Sequence, residues 1–182
     1  MAYQSVAEIF ETIDETRARL YSRVEGLNLA QEKFRPTPDA WSVAEIVEHL
    51  SIMEGRLSGL LKMMLKKAEA ASIEARDRSQ GFRSFSLDQH IERSLTEKYT
   101  APETVRPSGN ISLGDSLAGL RRTRAALHEL RPKLETIALS NMTYPHPVFG
   151  PLDLYQWLAF IGIHEDRHLR QIESVISSPQ FE

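Results

Sequence analysis

The fold is decided by a stretch near the end of the chain, where residues 153–175 read D-L-Y-Q-W-L-A-F-I-G-I-H-E-D-R-H-L-R-Q-I-E-S-V. Apolar side chains recur there at intervals of three and four, the spacing that places side chains on one face of an α-helix. Asp153 can cap the first turn while Gln156 returns a hydrogen bond to it. The stretch therefore predicts a long amphipathic helix with the apolar stripe Leu154, Trp157, Leu158, Ile161, His164, His168, Ile172 and Val175.

Three earlier stretches show the same helical period. Each begins with a serine that is followed three positions later by a carboxylate, the pattern of a capped helix start. The predicted helices run from residue 5 to 26, from 42 to about 67 or somewhat beyond, and from about 112 onward. Pro132 is expected to bend or interrupt the third of them.

Four amphipathic helices without a convincing strand predict an all-α fold, a four-helix bundle. The length of 182 residues, of which 41% are hydrophobic, fits one domain that spans residues 1–182. The connection after the second helix, residues 68–111, is mostly polar and long enough to be a crossover, so it permits a topology other than simple up and down. The proline-rich segment at 143–151 is expected to form a rigid loop.

The overall composition excludes several classes of partner and site. The chain has 22 basic and 25 acidic residues, a formal net charge of -3, so it predicts no nucleic-acid partner and no membrane partner. It has no cysteine, which excludes disulfides, cysteine-based zinc modules and a cysteine nucleophile. No segment approaches the roughly 18–20 apolar residues of a membrane span, and no secretory signal is visible, so we expect a cytoplasmic protein.

Two histidines continue the apolar stripe of the last predicted helix. His164 and His168 are four residues apart and project from one side of the helix, where two imidazoles can hold one metal ion. His49 lies on the inward stripe of the second helix and is the best candidate for a third ligand. Because buried polar groups need partners, the three positions predict a metal site. The alternative is that they are satisfied core histidines of a structural protein.

Three neutral imidazoles suit a reactive metal centre. They leave a tetrahedral zinc ion with one open position, whereas a structural site usually has four protein ligands. The ion can lower the pKa of a bound water molecule to about 7 or hold a thiol as thiolate. The same three ligands are therefore compatible with hydrolysis and with thiol transfer. Zinc or nickel is the expected divalent ion, and iron, cobalt or manganese are compatible with the same nitrogen-rich site.

Further polar residues can support this site. Glu45 and Gln171 each lie one turn from a predicted ligand and could orient an imidazole or shuttle a proton. For Glu45 the capping of its own helix is the favoured role. His146 is expected to be a solvated loop histidine, with a spare ligand or a substrate contact as the alternatives.

Other charged residues of the third and fourth predicted helices are expected to lie off the apolar stripes. They are Arg121, Arg122 and Arg124 on the third helix, and on the fourth Glu165 and Asp166, which would face solvent or pair with Arg167 and Arg170.

Three segments resemble the DinB/YfiT-like superfamily. They are W-S-V-A-E-I-V-E-H-L at 41–50, P-S-G-N-I-S at 107–112 and H-P-V-F-G-P-L-D-L-Y-Q-W-L-A-F-I-G-I-H-E-D-R-H-L-R-Q-I at 146–172. The order of the elements agrees as well, so the likeness covers most of the chain. It implies a bundle of up-down-down-up topology with a histidine triad that holds a divalent metal, and His49, His164 and His168 match that triad.

The resemblance also implies a range of functions. Members of the superfamily include metal-dependent hydrolases, and transferases or isomerases that use a low-molecular-weight thiol such as bacillithiol or mycothiol. The leading hypothesis is therefore a metal-dependent hydrolase or thiol-dependent transferase of a small-molecule substrate, which forms a homodimer as relatives often do. The alternative is a noncatalytic dimeric binding or stress-response bundle, which predicts a metal-free site or no accessible cavity.

Overall fold

Four long helices dominate the computed structural model, which describes residues 2–74, 82–88, 92, 100–136 and 142–181. The helices within these ranges are α1 (Val6–Val24), the short α2 (Leu29–Lys33), α3 (Val43–Glu74), α4 (Leu113–Thr136) and α5 (Leu154–Ile176), with a 3-10 turn at Glu103–Val105. The short strands are β1 (Ala2–Tyr3), β2 (Phe85–Ser86), β3 (Thr143–His146) and β4 (Gly150–Asp153). None of the described helices is both long and apolar enough to cross a membrane.

The helices begin where the capping signals predict. At α5 the Asp153 side chain accepts a hydrogen bond from the Gln156 backbone N–H at 2.8 Å, and the Gln156 side chain accepts one from the Asp153 N–H at 2.9 Å. Ser5 caps α1 through the Glu8 N–H. Pro132 does not interrupt α4, which continues to Thr136. Of the two expected effects, the interruption is therefore wrong, and the bend stays a prediction.

Side-chain pairs between the long helices establish the up-down-down-up arrangement. Residue numbers rise together in the contacts between α3 and α4, so these two helices are parallel. The same holds for the contacts between α1 and α5. The pairs are Glu54 with Thr123 and Glu69 with Lys133 for α3 and α4, and Arg17 with Glu165 and Arg19 with Asp166 for α1 and α5. Because α3 and α4 run the same way, α4 begins near the end of the bundle opposite to the one where α3 ends, a topology that the long connection permits.

Two apolar clusters fill the bundle, one toward each end. The first contains Ile9, Phe10 and Ile13 of α1 together with Leu127 and Leu134 of α4 and the first half of α5. The second cluster is Leu20, Val24, Val43, Ile46, Val47, Leu50, Leu113, Leu120, Leu169, Ile172 and Val175. Each long helix contributes to both clusters, and each contributes one charged residue between them.

These four residues, which we name the charge layer, are Arg17, Glu54, Arg124 and Glu165, and all are buried. Arg17 donates from Nε to Glu165 Oε1, from Nη2 to Glu54 and from Nη1 to the Leu120 carbonyl, so one guanidinium joins all four long helices. Arg124 donates from Nη2 to Glu165 Oε2 at 3.3 Å, and its Nε lies 3.4 Å from Glu54 Oε1. Two positive and two negative groups therefore compensate each other inside the bundle.

The charge layer overturns two expectations from the sequence. Arg124 and Glu165 were predicted to lie off the apolar stripes, but both face the interior, where each finds a partner of opposite charge. Burial tends to lower the pKa of Arg17, but the carboxylates of Glu165 and Glu54 outweigh burial and raise it above its ordinary value. Asp166 pairs with Arg170, as predicted, and also with Arg19.

The proline-rich segment before α5 is a β-hairpin and not the predicted loop. Strands β3 and β4 pair antiparallel, with Pro145 opposite Pro151 and His146 opposite Gly150. Prolines are tolerated because both strands of a two-stranded ribbon are edge strands, where a missing N–H faces solvent. The Trp157 Nε1–H of α5 donates to the Tyr144 carbonyl at 3.1 Å, which holds the hairpin against the helix.

Replacing Arg17 with methionine tests the charge layer. The change leaves Glu54 and Glu165 short of a partner, and removing one member of a buried ion pair typically lowers stability by about 3–5 kcal/mol. Arg19→Met is the matched control, because Arg19 lies two residues away in an exposed pair with Asp166 and should contribute less than about 1 kcal/mol. Urea unfolding followed by circular dichroism measures both free energies, and equal losses would contradict the assigned role.

Candidate metal centre

The three predicted ligands meet between α3 and α5. One ring nitrogen from each of His49, His164 and His168 lies within 4.8 Å of the other two. The Nε2 atoms of His49 and His164 are 3.4 Å apart, and the ring centroids of His164 and His168 are 4.6 Å apart. His49 and His168 are buried, whereas His164 is partly exposed. The helical spacing of four and the antiparallel packing of α3 on α5 together produce this cluster.

Hydrogen bonds on the outer side of two rings set their tautomers. His49 donates from Nδ1 to the Val105 carbonyl at 2.7 Å, and His168 donates from Nδ1 to Gln171 Oε1 at 2.9 Å. Because a carbonyl oxygen only accepts, each Nδ1 carries the proton and each Nε2 keeps a lone pair. The prediction that Gln171 could orient an imidazole fits its position here.

Glu45 does not contact the histidines. Its carboxylate accepts from the Ser42 backbone N–H at 2.9 Å and from Arg35 Nη2 at 2.5 Å, and its own N–H donates to Ser42 Oγ at 3.3 Å. Glu45 therefore has the capping role that the sequence favoured.

Burial keeps all three imidazoles neutral at physiological pH. Burial lowers the pKa of His49, and it lowers the pKa of His168 to about 3, with His49 adding to the shift. The pKa of His164 is held well below its ordinary value by burial first and by His168 and His49 next. Neutral imidazole is the form that binds a metal ion, so the cluster is ready to act as a ligand set.

The donor set of the cluster suits a single metal ion, and one pair of its nitrogens has the spacing of two ligands on such an ion. Two nitrogens bound to one tetrahedral zinc ion at about 2.0–2.1 Å lie roughly 3.3 Å from each other. The 3.4 Å between the Nε2 atoms of His49 and His164 agrees with that separation. Within the described residues the candidate ligand group has these three members and no carboxylate. An ion held by it would keep a position open.

A cavity of about 1040 Å³ opens beside the histidines. All three imidazoles line it, together with Trp41, Trp157, Phe160 and further residues. The Trp41 ring lies 5.1 Å from the His49 ring and stacks on that of His168 at 6.5 Å, measured between centroids. Trp41 also packs on the second apolar cluster, as a residue before a helix start is expected to do. It therefore links the bundle core to the rim of the cavity.

Comparison with known proteins places this architecture in a family. The sequence profile of the DinB superfamily matches residues 12–172. The chain belongs to the DinB superfamily. The Bacillus subtilis (strain 168) protein YuaE is 25% identical over 169 residues, which cover 89% of this chain and 93% of YuaE.

Two solved structures share the DinB fold seen here. TT2238, described as a four-helix bundle protein, has a TM-score of 0.61 and 21% identity, with 92% of this chain and 98% of that chain covered. YfiT from Bacillus subtilis, described as a probable metal-dependent hydrolase with an unusual four-helix bundle topology, has a TM-score of 0.56 and 17% identity, with coverage of 96% and 90%. The four-helix bundle predicted from the sequence is confirmed.

A buried carboxylate that the sequence analysis missed supports this DinB site. Glu48 precedes His49 and accepts hydrogen bonds from the Ser108 N–H at 2.8 Å, the Ser108 hydroxyl at 2.7 Å and the Gly109 N–H at 3.0 Å. Gly109 has φ +72°, a conformation that other residues rarely adopt. The P-S-G-N segment thus folds over Glu48 and carries Val105 to His49. Glu48 lies off the apolar stripe of its helix, so no periodicity marks it.

His146 is half-buried in the DinB cavity rather than solvated, so the preferred prediction for it was wrong. Its Nδ1 accepts from the Val148 N–H at 3.1 Å and the Phe149 N–H at 3.2 Å, which places the proton of the neutral ring on Nε2. Its ring packs on Phe160 with a centroid distance of 4.8 Å. The hairpin therefore brings a fourth imidazole, with a defined tautomer, to the same cavity as the triad.

Replacing Glu48 with alanine tests how the site is assembled. The change leaves the donors of Ser108 and Gly109 without their acceptor, which we expect to lower the free energy of unfolding by about 2–3 kcal/mol. Amide hydrogen exchange at both residues should accelerate. Glu69→Ala, which removes a surface pair with Lys133, is the control and should leave that exchange unchanged. Unaltered exchange in Glu48→Ala would show that the carboxylate does not hold the segment.

Proposed function

We propose that this DinB-superfamily protein is a metal-dependent enzyme of a small-molecule substrate, either a hydrolase or a low-molecular-weight-thiol transferase. His49, His164 and His168 are the proposed ligands of a divalent ion. The observation that carries the proposal is the convergence of three neutral imidazoles, two with outward-held Nδ1 atoms, at the wall of a cavity of about 1040 Å³. The description of YfiT as a probable metal-dependent hydrolase supports it.

The cavity favours an enzyme over a noncatalytic bundle. A core histidine with only a structural role needs no adjoining space, whereas a substrate needs a concave site next to the reactive group. Here each of the three imidazoles lines the cavity. An ion with three protein ligands would therefore meet a small molecule on its open side.

Several residues around the proposed ion would each have a separate role in binding or orienting the reactants. Val105 and Gln171 hold the imidazoles of His49 and His168 so that both Nε2 atoms remain available. Trp41 packs beside the His49 ring and stacks on that of His168, so it supports both imidazoles from one side. His146, with its proton on Nε2, can donate a hydrogen bond to an electron-rich substrate atom. A bound ion would supply Lewis acidity, which lowers the pKa of a water or thiol and serves both reaction classes.

Zinc or nickel is the proposed ion, and iron, cobalt or manganese are compatible with the same donor set. Three nitrogen donors without a carboxylate or thiolate suit these metals better than magnesium or calcium, which prefer oxygen. The homodimer and the cytoplasmic location expected from the sequence stay predictions.

Metal analysis of the purified protein tests the ligand set. Protein prepared without chelators or a nickel column should contain close to one equivalent of a divalent metal, about the stoichiometry of a three-histidine site. His168→Ala should lose most of it, because two imidazoles hold an ion far less tightly. His128→Ala is the control, since His128 pairs with Asp14 on the surface of the bundle. A trace of metal in the parent protein, or equal contents in both variants, would refute the ligand set.

A second experiment separates the two reaction classes. Protein loaded with zinc or with nickel is assayed on ester and amide substrates without thiol, and on electrophiles with bacillithiol, mycothiol or glutathione. A hydrolase forms product without thiol, whereas a transferase consumes thiol in step with conjugate. His49→Ala should abolish either activity. No turnover in any assay would contradict the enzyme, and together with a site that does not retain metal it would favour the noncatalytic binding bundle.

A further inference from the structure

The cavity beside the histidines has a charge opposite to that of the chain. The whole protein has a formal net charge of -3. Among the described residues that line the cavity, however, Arg56, Arg106 and Arg167 are basic and Asp39 is the one acidic residue. Clefts lined by one sign of charge concentrate ligands of the opposite sign. The local excess of arginine therefore indicates an anionic ligand.

Two of these arginines are anchored by neutral groups of the described residues. Arg56 of α3 donates from Nη1 to Thr104 Oγ1 at 3.2 Å and from Nη2 to the Thr104 carbonyl. Arg106 donates from Nε to the Ala101 carbonyl at 3.1 Å. These neutral acceptors orient both exposed guanidinium groups, and within the part of the chain that the structure describes no carboxylate pairs with either of them. The charge layer shows the opposite arrangement, in which Arg17 and Arg124 face carboxylates.

The anchored arginines lie close to the histidine cluster along the chain. Arg106 follows Val105, whose carbonyl accepts the hydrogen bond from His49. Arg56 holds Thr104, the residue before Val105. An anion bound by these guanidinium groups would therefore sit on the segment that orients one proposed ligand.

The hairpin and α5 contribute an aromatic surface to the same cavity. Phe149, Trp157 and Phe160 surround the His146 ring, with centroid distances from 4.6 to 5.2 Å. All four residues line the cavity. Such a surface buries an apolar or aromatic group and aligns it by ring packing.

We propose that the cavity binds an amphipathic organic anion. Its carboxylate, sulfonate or phosphate group pairs with Arg56 and Arg106, and its apolar or aromatic part packs on Phe149, Trp157 and Phe160. Guanidinium groups suit these anions because their fixed fork of donors matches two oxygens at once. The proposal names the substrate class of the proposed enzyme and rests on it for catalysis, although binding can be measured without turnover.

Two fluorescent dyes that share a ring system give the direct test. The anionic probe is 1-anilinonaphthalene-8-sulfonate, and the neutral probe is N-phenyl-1-naphthylamine, which lacks the sulfonate. Fluorescence titrations of the full-length protein, both zinc-loaded and metal-free, give the two dissociation constants. We expect saturable binding of the anionic dye, tighter than that of the neutral dye in both forms and weakened by added salt.

Arginine variants locate the binding. The double variant Arg56→Gln/Arg106→Gln should weaken binding of the anionic dye about tenfold and leave the neutral dye unaffected. Arg56→Lys/Arg106→Lys keeps the charge and should recover most of the affinity. The matched control is Arg19→Gln/Arg170→Gln, which removes the same charge from two exposed arginines that pair with Asp166 away from the cavity. Circular dichroism confirms that each variant is folded.

Three results would overturn the proposal: equal affinities for the two dyes, no saturable binding of the anionic dye, or equal losses in the cavity and control double variants. Metal content measured on the same samples keeps the two proposals separate. If the protein binds metal normally but does not prefer the anionic dye to the neutral one, the proposed substrate class alone is refuted. Anion selectivity in a protein that never binds metal would refute the proposed function and leave the anion site in place.

Discussion

The structure depends on the charge layer, in which Arg17, Glu54, Arg124 and Glu165 meet between two apolar clusters. Hydrophobic stripes alone allow helices to slide and rotate against each other, since apolar contact is not directional. The layer requires one residue from each long helix at the same height, with signs that match. A shift of one helical turn would leave at least one charge buried without a partner, which is strongly unfavourable. We infer that the layer selects the register and the up-down-down-up order.

The histidine cluster takes its geometry from this register. Glu165 follows His164 in the chain and points into the bundle, so its bonds to Arg17 set the rotation of α5 about its axis. That rotation directs both histidines toward α3, where His49 lies five residues before Glu54. The cavity walls then come from two other sources, the hairpin and the segment that Glu48 holds. A rigid helical frame thus positions the imidazoles, and irregular segments complete the site.

The sequence predicted those features of the structure that depend on residue patterns within one segment, such as helix starts and inward-facing stripes. Capping residues such as Ser42 and Asp153 located helix starts, and the inward stripes located His49, His164 and His168, which the structure brings together. The charge layer was missed although its members lie three or four residues from stripe leucines and isoleucines, because the partner that permits burial of Glu165 lies 148 positions away. Glu48 was missed because its partners, two backbone N–H groups and the Ser108 hydroxyl, lie on a segment far away along the chain. The hairpin was missed because its prolines favour a loop in isolation.

The division between helices and loops bears on how such proteins diverge. The proposed ligands sit on α3 and α5, whose packing is constrained by the whole bundle. The arginine-bearing segment around residues 101–109 and the hairpin lie outside the helical frame, and surface segments of this kind tolerate substitution better than packed helices do. Ligand preference can therefore drift by accumulated loop changes while the imidazole cluster is inherited intact. One scaffold could in this way give rise to a lineage of proteins with unrelated substrates.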